Sequence, residues 1–280
     1  MLRNAVSKQE QLPITRDSLG EYLKDLGKEF RRLNGTKTPA EIVLIGGAAI
    51  LAIYGFRNLT YGVDAIIVAS SAMKDAIKNF GDKHGLPHGW LNTDFKRTAS
   101  YSDKLLSVSV YYRTFSNILT VRIIAAEYLL AMKLMSGRLY KNDLSDIVGV
   151  LWEHQKNGEP LMRKTVESAF GTLYGTDTVI PETSRRLLDA IFADGNYEAL
   201  YQRTRDTELE SREFLLEFEQ KHPKMLKNES IDGIIERMKQ NRYSVPKKDP
   251  LLSRLQEAKR EAEQSRQNAD IRSKKENEIE

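Results

Sequence analysis

The sequence predicts an α+β protein: a small mixed β-sheet with flanking helices, followed by a helical C-terminal region. Three observations lead there. Short apolar runs rich in β-branched residues fall almost entirely between residues 41 and 175. A glycine pair, Gly46-Gly47, separates one such run from a helical pattern. Beyond residue 143 the apolar positions recur at three- and four-residue spacing, the period of helices rather than strands.

Taken in order, Leu19, Leu23, Leu26, Phe30 and Leu33 form one helical stripe, with Asp17 or Ser18 as candidate cap and Gly35 as stop. EIVLIGG (41–47) reads as a buried strand ending in two glycines, and AAILAIYGF as the helix after it. VDAIIVA (63–69) is a second buried strand, and SAMKDAIKNFGDKHG is a helix closed by Gly85. LLSVSVYY (105–112) alternates and predicts a half-buried strand; NILTVRII (117–124) predicts another. AAEYLLAMKLMSGR (125–138) is a strong helix, and residues 160–220 continue helically.

Composition excludes several chemistries. There is no cysteine, so no disulfide scaffold, thiolate metal site or cysteine nucleophile. With 4 histidines, a multi-histidine zinc site is not expected. The 43 basic residues exceed the 39 acidic ones only slightly, giving a net charge of +4, too little to argue for nucleic-acid binding by itself. No apolar run is long enough for a membrane span, and the first residues lack the apolar core of a secretory signal. A cytoplasmic setting is the expectation. Residues 221–250 are about twice as rich in Lys and Arg as in Asp and Glu, and residues 251–280 mix both signs with few large apolar side chains. The latter is the pattern of a charged helix or disordered tail, dispensable for folding of the rest.

The segment IGGAAILAIYGFRNLTYGVDAII carries the most chemistry. Two glycines at a strand–helix junction let backbone N–H groups approach a phosphate without Cβ interference, and a helix N-terminus favours anions. The next strand delivers Asp64, a carboxylate suited to a hard cation. Lys133 lies at the edge of its helix's apolar stripe, so it must snorkel or pair. Asp143 and Asp146 share one face of the following helix. Together with Lys133 they can serve a triphosphate and its metal, or they simply cap the helix and form a buried salt bridge with Lys133 and Arg138. In HGWLNTDFKRTASY, Trp90, Phe95 and Tyr101 alternate with polar residues; they either stack on a base or pack into the core.

Strand, Gly-Gly, helix and then an acidic strand resembles the nucleotidyltransferase superfamily with the polymerase-β-like fold. More closely, the chain resembles an uncharacterised bacterial and phage family related to AbiEii-type toxins of abortive-infection and toxin–antitoxin loci. The segments that carry this are IGGAAILAIYGFRNLTYGVDAII, WLNTDF with SYSDKL, EYLLAMKLMSGRLYKNDLSDIVGVL, and LYG at 173–175. The resemblance implies a nucleotidyltransferase-like domain over 1–175, followed by a helical region over 176–245 and the charged tail over 246–280. It implies an NTP substrate, Mg²⁺, and an acceptor that is RNA or protein, with an antitoxin-like protein as partner. Asp64 and Lys133 would be catalytic, and Gly46, Gly47, Lys133 and Arg138 would bind the nucleotide. The superfamily pattern asks for carboxylates at 62 and 64, but this chain has Gly62 and Asp64. Asp94, Asp143 and Asp146 are then the candidates to complete the metal ligands with Asp64. Without a second carboxylate the same fold would serve as a catalytically degenerate binding module, or as a nucleic-acid-binding partner using the basic 221–248 stretch.

Overall fold

The computed structural model describes residues 12–226 and 231–244. The chain divides into two compact units, Met1–Glu229 and Ser230–Glu280. The second contributes one described helix, α9 (Ile231–Ser244); the charged tail expected over 246–280 lies outside the described residues. All other elements belong to the first unit.

A short strand β1 (Ile14–Thr15) leads into α1 (Arg16–Asn34). The cap of α1 is Thr15 rather than Asp17 or Ser18. Thr15 and Ser18 form a reciprocal capping box, and Gly35 closes the helix as expected. The central sheet has five strands: β2 (Ala40–Leu44), β4 (Val63–Val68), β5 (Leu91–Asn92), β6 (Ser109–Phe115) and β7 (Leu119–Ile124). Their order is β5-β4-β2-β7-β6. The sheet is mixed: β2 runs antiparallel to β4 and parallel to β7, and β4 runs parallel to β5. A separate ribbon pairs β1 with β3 (Leu59–Thr60).

Ile42, Val43 and Leu44 are consecutive and fully buried. Side chains alternate across a strand, so both faces of β2 are covered, which accounts for its uninterrupted apolar run. The strand expected over 105–112 is displaced along the chain. Residues Asp103–Leu106 form a 3₁₀ turn, and β6 begins at Ser109. Ser102 caps this turn and Ser107 donates back to Lys104; local side-chain bonds of this kind outcompete a sheet ladder.

Six further α-helices complete the layers before residue 195: α2 (Gly46–Ile53), α3 (Ala72–His84), α4 (Ala126–Ser136), α5 (Asp143–Lys156), α6 (Arg163–Tyr174) and α7 (Glu182–Asp194). The 25-residue α8 (Tyr197–Lys221) follows. Helix α1 packs on α3, α4 meets α5, α6 and α7, and α5 lies along α8. Trp90 and Phe95 are buried and Tyr101 is half-buried. The Trp90 ring packs edge-on to Tyr22 and against Phe80, and its Nε1 donates to the Ile77 carbonyl. These aromatics serve the core.

Candidate functional site

Strand β2 ends at Leu44, and its neighbour β4 pairs Leu44 with Ala65. One residue further, the Ile45 N–H donates to the Asp64 carbonyl at 3.0 Å. The chain then turns at Gly46, whose φ of 55° lies in the left-handed region, where a Cβ is costly. This turn starts α2 with Ile45 as its cap residue, which has no side chain able to accept a hydrogen bond. The first N–H groups of α2 therefore lack a side-chain cap. Asp64 is half-buried beside the turn: a Cβ on Gly46 would stand 4.0 Å from its Oδ2.

Gly47 also leaves room for a neighbouring side chain. A Cβ there would lie 2.8 Å from Nη2 of Arg57 and 3.2 Å from Oγ1 of Thr60. The Arg57 guanidinium thus lies across the glycine, and its Nη1 donates to both oxygens of Asp146, at 2.8 and 2.6 Å. Lys133 on α4 reaches the same helix turn. Its Nζ is 2.7 Å from Asp143 Oδ1 and 2.8 Å from Asp146 Oδ2. Arg138 donates from Nε to Asp143 Oδ2 at 2.6 Å and from Nη2 to Oδ1 at 3.3 Å. Arg57, Lys133 and Arg138 therefore meet Asp143 and Asp146, leaving a surplus of positive charge.

Burial shapes the electrostatics. The Asp143 and Asp146 side chains are 1% and 3% exposed. Burial alone would raise the Asp143 carboxyl, but the fields of Lys133 and Arg138 and their hydrogen bonds outweigh it and hold it well below the usual range. Burial likewise disfavours the Lys133 ammonium, and the two carboxylates reverse this, leaving it more firmly protonated than a free lysine. Asp64 behaves differently. Burial raises its carboxyl, and the more distant charges of Lys141, Lys133 and Arg138 and a hydrogen bond from Asn92 only partly offset this.

Two residues that the sequence did not single out prove central. Arg57 stands between Phe56 and Leu59, a cation inside an apolar stretch, which signals a buried partner. Glu208 on α8 is 2% exposed. Its Oε1 accepts from the Leu144 and Ser145 N–H groups at 2.8 and 3.2 Å, and Oε2 accepts from Ser145 Oγ at 2.5 Å. It supplies the cap that Asn142, at the N-cap position of α5, does not. Its signal was faint but present: Leu200, Thr204, Glu208, Ser211 and Leu215 form the buried stripe of α8.

Burial pushes the Glu208 carboxyl up to about 8, with the Ser145 hydrogen bonds pulling against it and the Asp146 carboxylate adding to it. A raised folded-state value means stability present below the unfolded value of 4.5 and lost as pH climbs to about 8. Asp143 has the opposite sign: its contribution is present above 3.8 and lost as pH falls below it. The denaturation midpoint is therefore expected to fall between about pH 5 and pH 8, and Glu208→Gln should flatten that slope. A midpoint rising over this range in the wild type would contradict the assignment.

The remaining candidate, Asp94, is exposed in a 3₁₀ turn (Asp94–Arg97), where its N–H donates to Asn92 Oδ1 at 2.9 Å. Asn92 itself is paired with Asp64 across β5 and β4. Among the described residues no three His, Asp or Glu side chains gather to hold a metal ion. Asp64 has no second acid at position 62, and Asp143 and Asp146 are each paired with cations.

A strand ending in a glycine pair, a helix opened by it, and a carboxylate on the adjacent antiparallel strand define a nucleotidyltransferase-type core. Residues 21–161, half of the chain, match the family described as nucleotidyltransferase of unknown function (DUF6036), and the protein belongs to it. No curated protein and no solved structure matches the chain. Among the described residues no helix is long and apolar enough to cross a membrane.

Proposed function

We propose that the protein binds a nucleoside triphosphate beside the Gly46-Gly47 turn, as a nucleotidyltransferase-fold module whose transfer chemistry is weakened or lost. The carrying observation is the surplus positive charge around an uncapped helix N-terminus. Arg57 lies against Gly47, and four cations, Arg57, Lys133, Arg138 and Lys141, stand around three acids, Asp64, Asp143 and Asp146. Such a place favours a polyanion. Arg138 is the most exposed of the three, with a side chain 34% accessible, and it keeps N–H donors beyond the two used on Asp143. Lys133 is committed to Asp143 and Asp146, so its role is to supply charge and hold the helix pair in place.

Nucleotidyl transfer to RNA or protein would be the activity of an intact site of this class. Gly62 and the ion-paired state of Asp143 and Asp146 favour the binding reading. The toxin–antitoxin or phage-defence setting and an antitoxin-like partner rest on the resemblance of the sequence segments. Titration of ATP, GTP, CTP and UTP into the full chain tests the proposal. Wild type should bind at least one of them, and Arg138→Met should weaken it about tenfold, the scale of a hydrogen bond between charged groups. Labelled NTP incubated with RNA or protein should show little transfer above Asp64→Ala. Absence of binding by wild type would overturn the reading. So would robust transfer that survives loss of Asp64.

A further inference from the structure

Helix α8 lies outside the segment that matches the family, yet it grips the site at two points. Glu208 holds the first turn of α5 through the Leu144 and Ser145 amides and the Ser145 hydroxyl. One helical turn later, Arg212 donates from Nη2 to Asn142 Oδ1 at 3.0 Å and from Nε to the Tyr140 carbonyl at 3.5 Å. The connection between α4 and α5 is thus tied to the same face of α8 as the first turn of α5. That connection carries Arg138 and Lys141, two of the cations acting on Asp64. The tied helix turn carries Asp143 and Asp146.

We infer that Glu208 and Arg212 are positioning residues of the nucleotide site, so that α8 is an integral part of the site rather than an appended helix. The inference rests on the nucleotide-binding reading above. Its physical content is preorganisation. The segment 137–146 has neither a side-chain cap from Asn142 nor a regular backbone before Asp143. Freed from α8, it would sample several arrangements of Arg138 and Lys141, and a ligand would have to order them on binding. A plain capping role predicts something else: lower stability, with unchanged affinity in the molecules that remain folded.

The experiment compares wild type, Glu208→Ala, Glu208→Gln and Arg212→Met in the full chain, well below each variant's melting temperature. Two quantities are read: ATP affinity by direct titration, and amide hydrogen exchange over residues 137–146. Glu208→Ala and Arg212→Met should bind ATP about tenfold more weakly, the scale on which supporting partners of a binding residue act, and exchange should accelerate over that segment. Glu208→Gln keeps an oxygen acceptor for the two amides and should recover most of both losses. Wild-type affinity and unchanged exchange in the folded Ala and Met variants would overturn the inference. If wild type binds none of the four nucleotides, the nucleotide reading fails on its own account. The exchange arm then still decides whether α8 holds the segment: acceleration supports that, and unchanged protection overturns it.

Discussion

Asp146→Ala is expected to lower the unfolding free energy by about 3–5 kcal/mol, the usual cost of removing one partner from a buried ion pair. Asp146 is where two otherwise separate parts of the chain meet, Arg57 from the segment after α2 and Lys133 from α4. Their side chains are 15% and 12% exposed, so neither can turn fully to water when the carboxylate goes. Lys133 would retain Asp143, while Arg57 would retain only its Nε bond to the Leu59 carbonyl. Most of the loss should therefore be traced to Arg57. Accordingly, Arg57→Met combined with Asp146→Leu should be far less damaging than Asp146→Ala alone, because no buried charge is left unpaired. For contrast, Arg163 and Glu167 form a pair of similar length with side chains 40% and 42% exposed. Glu167→Ala should cost less than about 1 kcal/mol. Urea denaturation of these variants measures the differences. A loss at Asp146 no larger than at Glu167 would refute the account.

Gly62→Asp is expected to raise the affinity of this strand end for a divalent cation. A Cβ at Gly62 would meet only the Trp90 carbonyl, at 4.0 Å, and Gly62 does not use a positive φ. The position therefore has room and suitable backbone for a side chain. Positions 62 and 64 are separated by one residue at the start of β4, and alternation along extended chain puts both side chains on one side. Two adjacent carboxylates repel each other, which a divalent cation relieves. Mg²⁺ affinity should rise at least about tenfold over wild type, since a second carboxylate multiplies the charge facing the ion. Titration of Mg²⁺ into both proteins, followed by labelled-NTP transfer assays, reads the result. Equal binding in the two proteins would show that this strand end no longer presents a metal site.

The sequence by itself determined the layered core, the strand–Gly-Gly–helix turn and the helical end, because each is written in local periodicity. Ile42 to Leu44 are apolar without a break, and a glycine pair between that run and a helical pattern marks a turn, because only glycine takes the left-handed φ of Gly46 at no steric cost. It also showed that Lys133 must pair or snorkel, since a cation beside Leu130 and Leu134 has no other solution. It misplaced β6 because alternation extends back through Ser107, while the hydroxyl bonds that stop the strand there depend on fine local geometry. What only the tertiary structure decided is which charges meet. Arg57 and Asp146 are 89 residues apart in the chain, and Leu144 and Glu208 are 64 apart. No local pattern specifies such pairings. In TRDTELESREF, Glu208 sits among other charged side chains, and only the packing of α8 along α5 selects it for burial while Arg205, Asp206 and Glu213 stay exposed. Desolvation then makes that one carboxylate unlike the rest, because the energy of a charge depends on what surrounds it in space and not on its place in the sequence.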